Sequence, residues 1–138
     1  MANQLYTRNL RDLAFEVSKA LPAAAATAYT DALDLGQAAV QSLEQIEFEI
    51  SIPATPALVD AKTITISIQD SADNSTFAAL DPAITTVITG VATSQGGPLK
   101  AVRFRLPSQT RRYVRLKTDV LTGGGDNTAV SVTLAALF

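Results

Sequence analysis

The chain has no cysteine, no histidine and no tryptophan in its 138 residues. Without cysteine there is no disulfide and no thiolate, and without histidine the commonest general base near neutral pH is missing. Their joint absence removes the usual zinc ligands and the Ser-His and Cys-His nucleophile pairs, leaving carboxylates, Lys, Tyr, Ser and Thr for any chemistry. Aromatic residues amount to 6%. No apolar run approaches the roughly 20 residues of a membrane helix, and the opening MANQLYTRNLRDL lacks the apolar core of a secretory signal. These features predict a soluble protein that is not an enzyme and does not enter a membrane. Eleven basic and 13 acidic residues give a net charge of −2, so the molecule as a whole has no electrostatic case for nucleic acid.

What the chain does have is alternation. Ile46, Phe48, Ile50 and Ile52 form one run, Ile64, Ile66 and Ile68 a second, and Val102, Phe104 and Leu106 a third. Val114, Leu116 and Val120 follow, then Val130, Val132, Leu134 and Phe138. Polar residues fill most positions between them, the pattern of a strand with one face on a core and the other in water or against a partner. The hydrophobic share of 47% suffices for one domain with a core that needs no staples.

Turn residues recur every 10 to 15 positions or so, the rhythm of antiparallel sheets. Strands are expected over residues 45–52, 62–69, 84–91, 99–106, 111–121 and 128–138. Two weaker ones are expected over 13–21, ended by Pro22, and over 29–35, ended by Gly36. The alanine-rich stretch after Pro22 reads as a linker, and 37–44 as a helical turn or two. Eight short strands in two sheets is the count of a jelly roll. The fold expected is therefore an all-β antiparallel β-sandwich, jelly-roll-like, of about eight strands over residues 13–138. A short N-terminal arm over 1–12 precedes it.

Charge is unevenly spread. Seven of the eleven basic residues, Lys100, Arg103, Arg105, Arg111, Arg112, Arg115 and Lys117, lie in 18 consecutive residues that contain no acid. Arg103 and Arg105 share the outward parity of one strand, Arg115 and Lys117 that of the next. If these strands pair as a hairpin, the four make one cationic patch beside Tyr113. Such a patch suits either an acidic protein surface or pairing within the sheet, with Glu47 and Glu49 on the outward parity of 45–52; each such pair contributes about 0.2–1 kcal/mol. Nucleic acid is disfavoured by the acidic remainder of the chain.

The other polar clusters read as structural. Asp70, Asp73 and Asn74 in QDSADNSTF offer oxygens to a calcium ion, but the spacing is not that of a calcium loop and Asx side chains cap tight turns. The pairs Asp31 with Asp34 and Glu47 with Glu49 lack the aromatic platform of a glycosidase. The glycines at 123–125 before Asp126-Asn127 are expected to turn a hairpin. No metal site and no cofactor is expected.

Ala32-Leu33-Asp34-Leu35-Gly36, the central sheet pattern and Arg111-Arg112-Tyr113-Val114-Arg115-Leu116 before the last strand together resemble the jelly-roll cement (decoration) proteins of tailed bacteriophages. The resemblance implies a virion protein made in the host cytoplasm and carried on the capsid surface. There it would bridge subunits of the major capsid protein as a homo-oligomer, with a dimer favoured. Arg103, Arg105, Tyr113, Arg115 and Lys117 would then dock by polar contacts, and Leu5, Tyr6, Arg8, Leu10 and Arg11 would dock through the arm. A second resemblance, on Ser71-Ala72-Asp73-Asn74-Ser75-Thr76-Phe77 and Arg112-Tyr113-Val114-Arg115-Leu116, is to discoidin-like carbohydrate-binding sandwiches. A minor tail or connector structural protein would have the same architecture.

Overall fold

The computed structural model describes residues 11–36, 46–92 and 96–137. Its strands are β1 (Arg11–Ala20), β2 (Thr27–Tyr29), β3 (Leu33–Asp34), β4 (Glu47–Ile52), β5 (Thr63–Ser71), β6 (Ala78–Ala79), β7 (Thr85–Thr89), β8 (Lys100–Arg105), β9 (Tyr113–Val120) and β10 (Ser131–Leu137). One antiparallel sheet has the order β1-β10-β4-β8; in the other, β9 and β5 are central, with β2 and β3 beside β9 and β6 and β7 beside β5.

Ten segments reduce to eight strands because two are interrupted. Between β2 and β3 the ladder continues through Thr30, whose N–H donates to the Leu116 carbonyl at 3.1 Å. Its hydroxyl in turn accepts from the Leu116 N–H at 3.0 Å, standing in for a backbone carbonyl. Between β6 and β7 the Leu80 N–H donates to the Ile68 carbonyl and the Ile68 N–H to the Ile84 carbonyl, so both pieces follow β5. Counted as eight, the strands lie in the orders 1-8-3-6 and 2-7-4-5, and each sheet draws strands from both halves of the chain. That interleaving is the jelly roll of two Greek keys. The expected sandwich is the observed one.

Alternation placed the residues correctly. In β5, Ile64, Ile66 and Ile68 are buried, and in β9 Val114, Leu116 and Val120. From the facing sheet Phe48, Ile50, Ile52, Val132, Leu134 and Ala136 complete the core. Phe48 and Phe104 stack across β4 and β8 with centroids 6.1 Å apart. Each large side chain so buried is worth about 1.5–3 kcal/mol of transfer free energy.

Several expectations are corrected. The 29–35 strand is interrupted, as β2 and β3 along β9, and it begins earlier than expected, inside the alanine-rich stretch at Thr27. Strand β1 begins at Arg11, so the last residues assigned to the arm, Arg11 and Asp12, belong to the sheet, where Arg11 pairs with Leu137. Residues 1–10 and the expected helical turn at 37–44 lie outside the described residues. The 99–106 and 111–121 strands do not form a hairpin: β8 pairs with β4, and β9 with β2, β3 and β5. Likewise 121–130 joins β9 to β10 across sheets and is no hairpin, although Gly123 and Gly125 do adopt positive φ of 79° and 83°. Period two fixes the face a residue shows; it does not name the neighbouring strand.

Candidate docking surfaces

Because β8 and β9 belong to facing sheets, the four basic residues expected to share one patch are divided. Arg103 and Arg105 stand on the outward face of one sheet, Arg115 and Lys117 on that of the other.

On the first face the register sets Glu49 against Arg103 and Glu47 against Arg105. Arg103 Nε donates to Glu49 Oε2 at 3.0 Å. On its other side Glu49 faces Ala135 of β10, whose small side chain leaves room for the carboxylate to lie along the sheet. Glu49 is buried, at 8% exposure. Ala135 and Leu137, on the same outward parity, are buried too, so the middle of this face is closed to solvent. The pairing of Arg103 with a sheet carboxylate is the intrasheet reading of the basic cluster, and here it holds.

The second face is built differently. Gln69 and Arg115 are register partners on β5 and β9, and Arg115 Nε and Nη2 both donate to Gln69 Oε1, at 3.0 and 2.9 Å. Its guanidinium carbon lies 4.0 Å from the ring centre of Tyr29 on β2 and 3.8 Å from that of Phe77, just before β6. One ring reaches it from each flank of the sheet. Among the described residues no carboxylate pairs with it. Burial pushes the Arg115 pKa down from its ordinary value, opposed by Tyr29, yet an arginine keeps its charge at any ordinary pH. Beyond it Lys117 Nζ meets Asp119 Oδ2 at 3.2 Å, while Asp119 Oδ1 accepts from the Thr27 hydroxyl. Thr27, Thr63, Thr65, Thr122 and Asp119 border an open depression of about 260 Å³ at this end of the face.

Three of the four remaining cations of the cluster are structural. Arg111 binds the buried Asp70. Arg112 forks onto Asp34, Nε to Oδ1 at 2.7 Å and Nη2 to Oδ2 at 2.8 Å, and lies 5.1 Å from the ring centre of Tyr113. Lys100 Nζ donates to the Val87 carbonyl at 2.9 Å, tying the edge strand β8 to β7. Arg105 has no ion pair among the described residues. Of the arm residues, Leu5, Tyr6, Arg8 and Leu10 lie outside the described residues, and Arg11 is placed by its backbone alone.

The acidic candidates resolve as turns and braces. Asp73 Oδ1 accepts from the Ser71 hydroxyl at 2.8 Å and from the Ser75 and Thr76 N–H groups at 2.9 Å each, the Asx turn expected of QDSADNSTF. These bonds hold its carboxyl well below the usual carboxylate range. Asp34 is lowered to about 2, by Arg112 first and then by the Gly36 N–H. Sequence reading missed Tyr29, Gln69 and Phe77 around Arg115, because Tyr29 and Gln69 lie on different strands, Phe77 lies in the loop before β6, and their meeting depends on the order of the sheet.

These features define an open-edged antiparallel β-sandwich of jelly-roll order, with charged outward faces. The chain belongs to the Bbp16 family, whose model matches residues 15–134. Among solved structures it is similar to a "Family 16 Carbohydrate Binding Module-2", at 11% identity and a TM-score of 0.36, over 92% of this chain and 86% of that one. No curated protein matches it.

Proposed function

We propose that this protein is a structural phage virion protein, a capsid cement protein that binds the outside of the assembled shell as a homo-oligomer and bridges neighbouring major capsid subunits. It works by adhesion, without catalysis, cofactor, nucleic acid or membrane. Separating two bridged subunits must break the added contacts as well as their own, so many modest interfaces give a large resistance when linked. The virion surface is its place of action, and the host cytoplasm its place of synthesis.

The observation that supports this reading most is the second outward face. The chain's other strong arginine contacts end on its own carboxylates, whereas Arg115 is held between two rings against a neutral amide. A rigid, polar, aromatic-flanked sheet face suits docking on another protein. Membership of Bbp16, a name that suggests a phage-related family, agrees with it.

The test is co-sedimentation of purified protein with expanded shells of the phage that encodes it. Saturable binding to shells supports the proposal, and protein that stays in the supernatant rejects it. Binding on a glycan array centred on the 70–77 and 122–127 loops would favour the carbohydrate-binding alternative. Density in the tail or connector of imaged virions would favour the third.

A further inference from the structure

The second face carries a group whose bonding is half used. Gln69 Oε1 takes the Nε and Nη2 hydrogens on one edge of the Arg115 guanidinium. The Nη1 group and the second Nη2 hydrogen form another edge, for which no acceptor exists among the described residues. Arginine offers five N–H donors in a planar fork, and a carboxylate matches two of them at once.

The surroundings fix that edge in place. The rings of Tyr29 and Phe77, at 4.0 and 3.8 Å, restrict movement out of the guanidinium plane, and Gln69 restricts rotation within it. Much of the entropy lost when a long side chain is ordered on binding has thus already been spent in folding. Both rings also displace water, which strengthens attraction to an incoming anion. Gln69 completes the case: a glutamate there would neutralise Arg115 internally, as Glu49 does for Arg103 and Asp70 for Arg111, whereas the amide orients the cation and leaves its charge unmatched.

We infer that Arg115, clamped by Tyr29, Phe77 and Gln69, is a preformed receptor for a single carboxylate side chain presented by the protein surface on which this chain docks. The inference rests on the docking reading above and names its chemistry: an exposed Asp or Glu of the shell subunit. A phosphodiester chain is a poorer occupant, because Asp119 and Asp34 lie on the same face and the whole chain is acidic.

The test separates the receptor from the docking partner. In the full chain, the Arg115 Nε–Hε NMR signal, assigned by its loss in Arg115→Lys, is followed during titration with acetyl-glutamate-methylamide, with its glutamine counterpart, and with inorganic phosphate at matched ionic strength. A saturable shift with the glutamate compound, of weak affinity on the order of millimolar, and none with the glutamine compound is expected. Phe77→Leu, which keeps the cation and loosens its clamp, should weaken that response severalfold. No shift with glutamate, or a tighter response to phosphate, overturns the inference whether or not shells are bound. In co-sedimentation, Arg115→Lys should lose about tenfold in affinity. Unchanged affinity in that variant overturns the inference and leaves the cement reading standing.

Discussion

Asp70 and Arg111 lock the crossover between the two sheets onto β5. The Arg111 N–H donates to Asp70 Oδ2 at 2.8 Å, its Nε and Nη2 to Oδ1 at 3.1 and 2.6 Å, and Nη2 again to the Asp70 carbonyl at 2.8 Å. Asp70 is 5% exposed, and its partner lies 41 residues further along the chain. A carboxylate that accepts from backbone and side chain together fixes both the path and the twist of residues 106–112.

Replacing Asp70 by alanine should therefore do more than remove one surface pair. It strands the Arg111 N–H and guanidinium beside a small void, and a donor left unmet costs more than the net worth of the bond. Melting should fall by roughly 5–10 °C, with faster hydrogen exchange over 106–112. Arg111→Ala should also cost stability, because it leaves the Asp70 carboxylate, 5% exposed, with only the residue-111 backbone N–H as donor among the described residues. Equal melting of Asp70→Ala and the parent would show that the crossover is held by other means.

Acid should weaken the fold through Asp34 and Asp73. Both carboxyls are depressed in the folded protein, Asp34 from 3.8 to about 2 by the Arg112 guanidinium and the Gly36 N–H, and Asp73 further, by the Thr76 and Ser75 N–H groups. The unfolded chain binds protons first as pH falls, so this stability is complete above about pH 4 and drains away toward pH 2. In thermal melts the gap between the parent and Asp34→Asn should be constant from about pH 7 to 5 and narrow below about 4. A gap that widens on acidification would contradict the assignment.

Two glycines separate backbone strain from crowding. Gly36 has φ +73° with nothing within 4 Å of an added Cβ, whereas Gly125 has φ +83° and would bring a Cβ to 2.3 Å from the Ala57 carbonyl oxygen. Alanine at 36 meets strain alone and should cost about 1 kcal/mol. At 125 it must also push apart the 55–61 and 121–126 loops, raising the loss to about 3 kcal/mol. Urea midpoints for the two variants test the difference.

The contrast between legible and hidden features follows from what period two encodes. Ile64, Ile66 and Ile68 announced a strand and its inner face, because water penalises the wrong parity at every position. Strand β6 gave no such signal: Ala78 and Ala79 are exposed and are a strand only because β5 lies beside them. Pairing order is set by long crossovers, so β8 and β9, neighbours in sequence, ended in different sheets. Thus Glu47 and Glu49 were foreseen opposite Arg103 and Arg105, since β4 does adjoin β8, while the Tyr29-Arg115-Phe77 stack was not. It needs β2, β9 and β6 brought to one face, and no local pattern records that.

The division of the basic cluster yields the last expectation. Arg103 and Arg115 stand on opposite outward faces and belong to different sheets, so their effects should be independent. Arg103→Gln takes a guanidinium from the largely buried Glu49 and should cost stability, about 1 kcal/mol for a pair whose arginine side chain is 43% exposed. It should leave shell binding unchanged. Arg115→Gln gives up its stacking, again about 1 kcal/mol, and should also lose shell affinity. The double variant should show the sum of the two stability losses within about 0.5 kcal/mol, and the binding of Arg115→Gln alone. If instead Arg103→Gln releases the protein from shells, the docked face is the β1-β10-β4-β8 sheet. If both single variants do so, shell contacts are made by both outward faces.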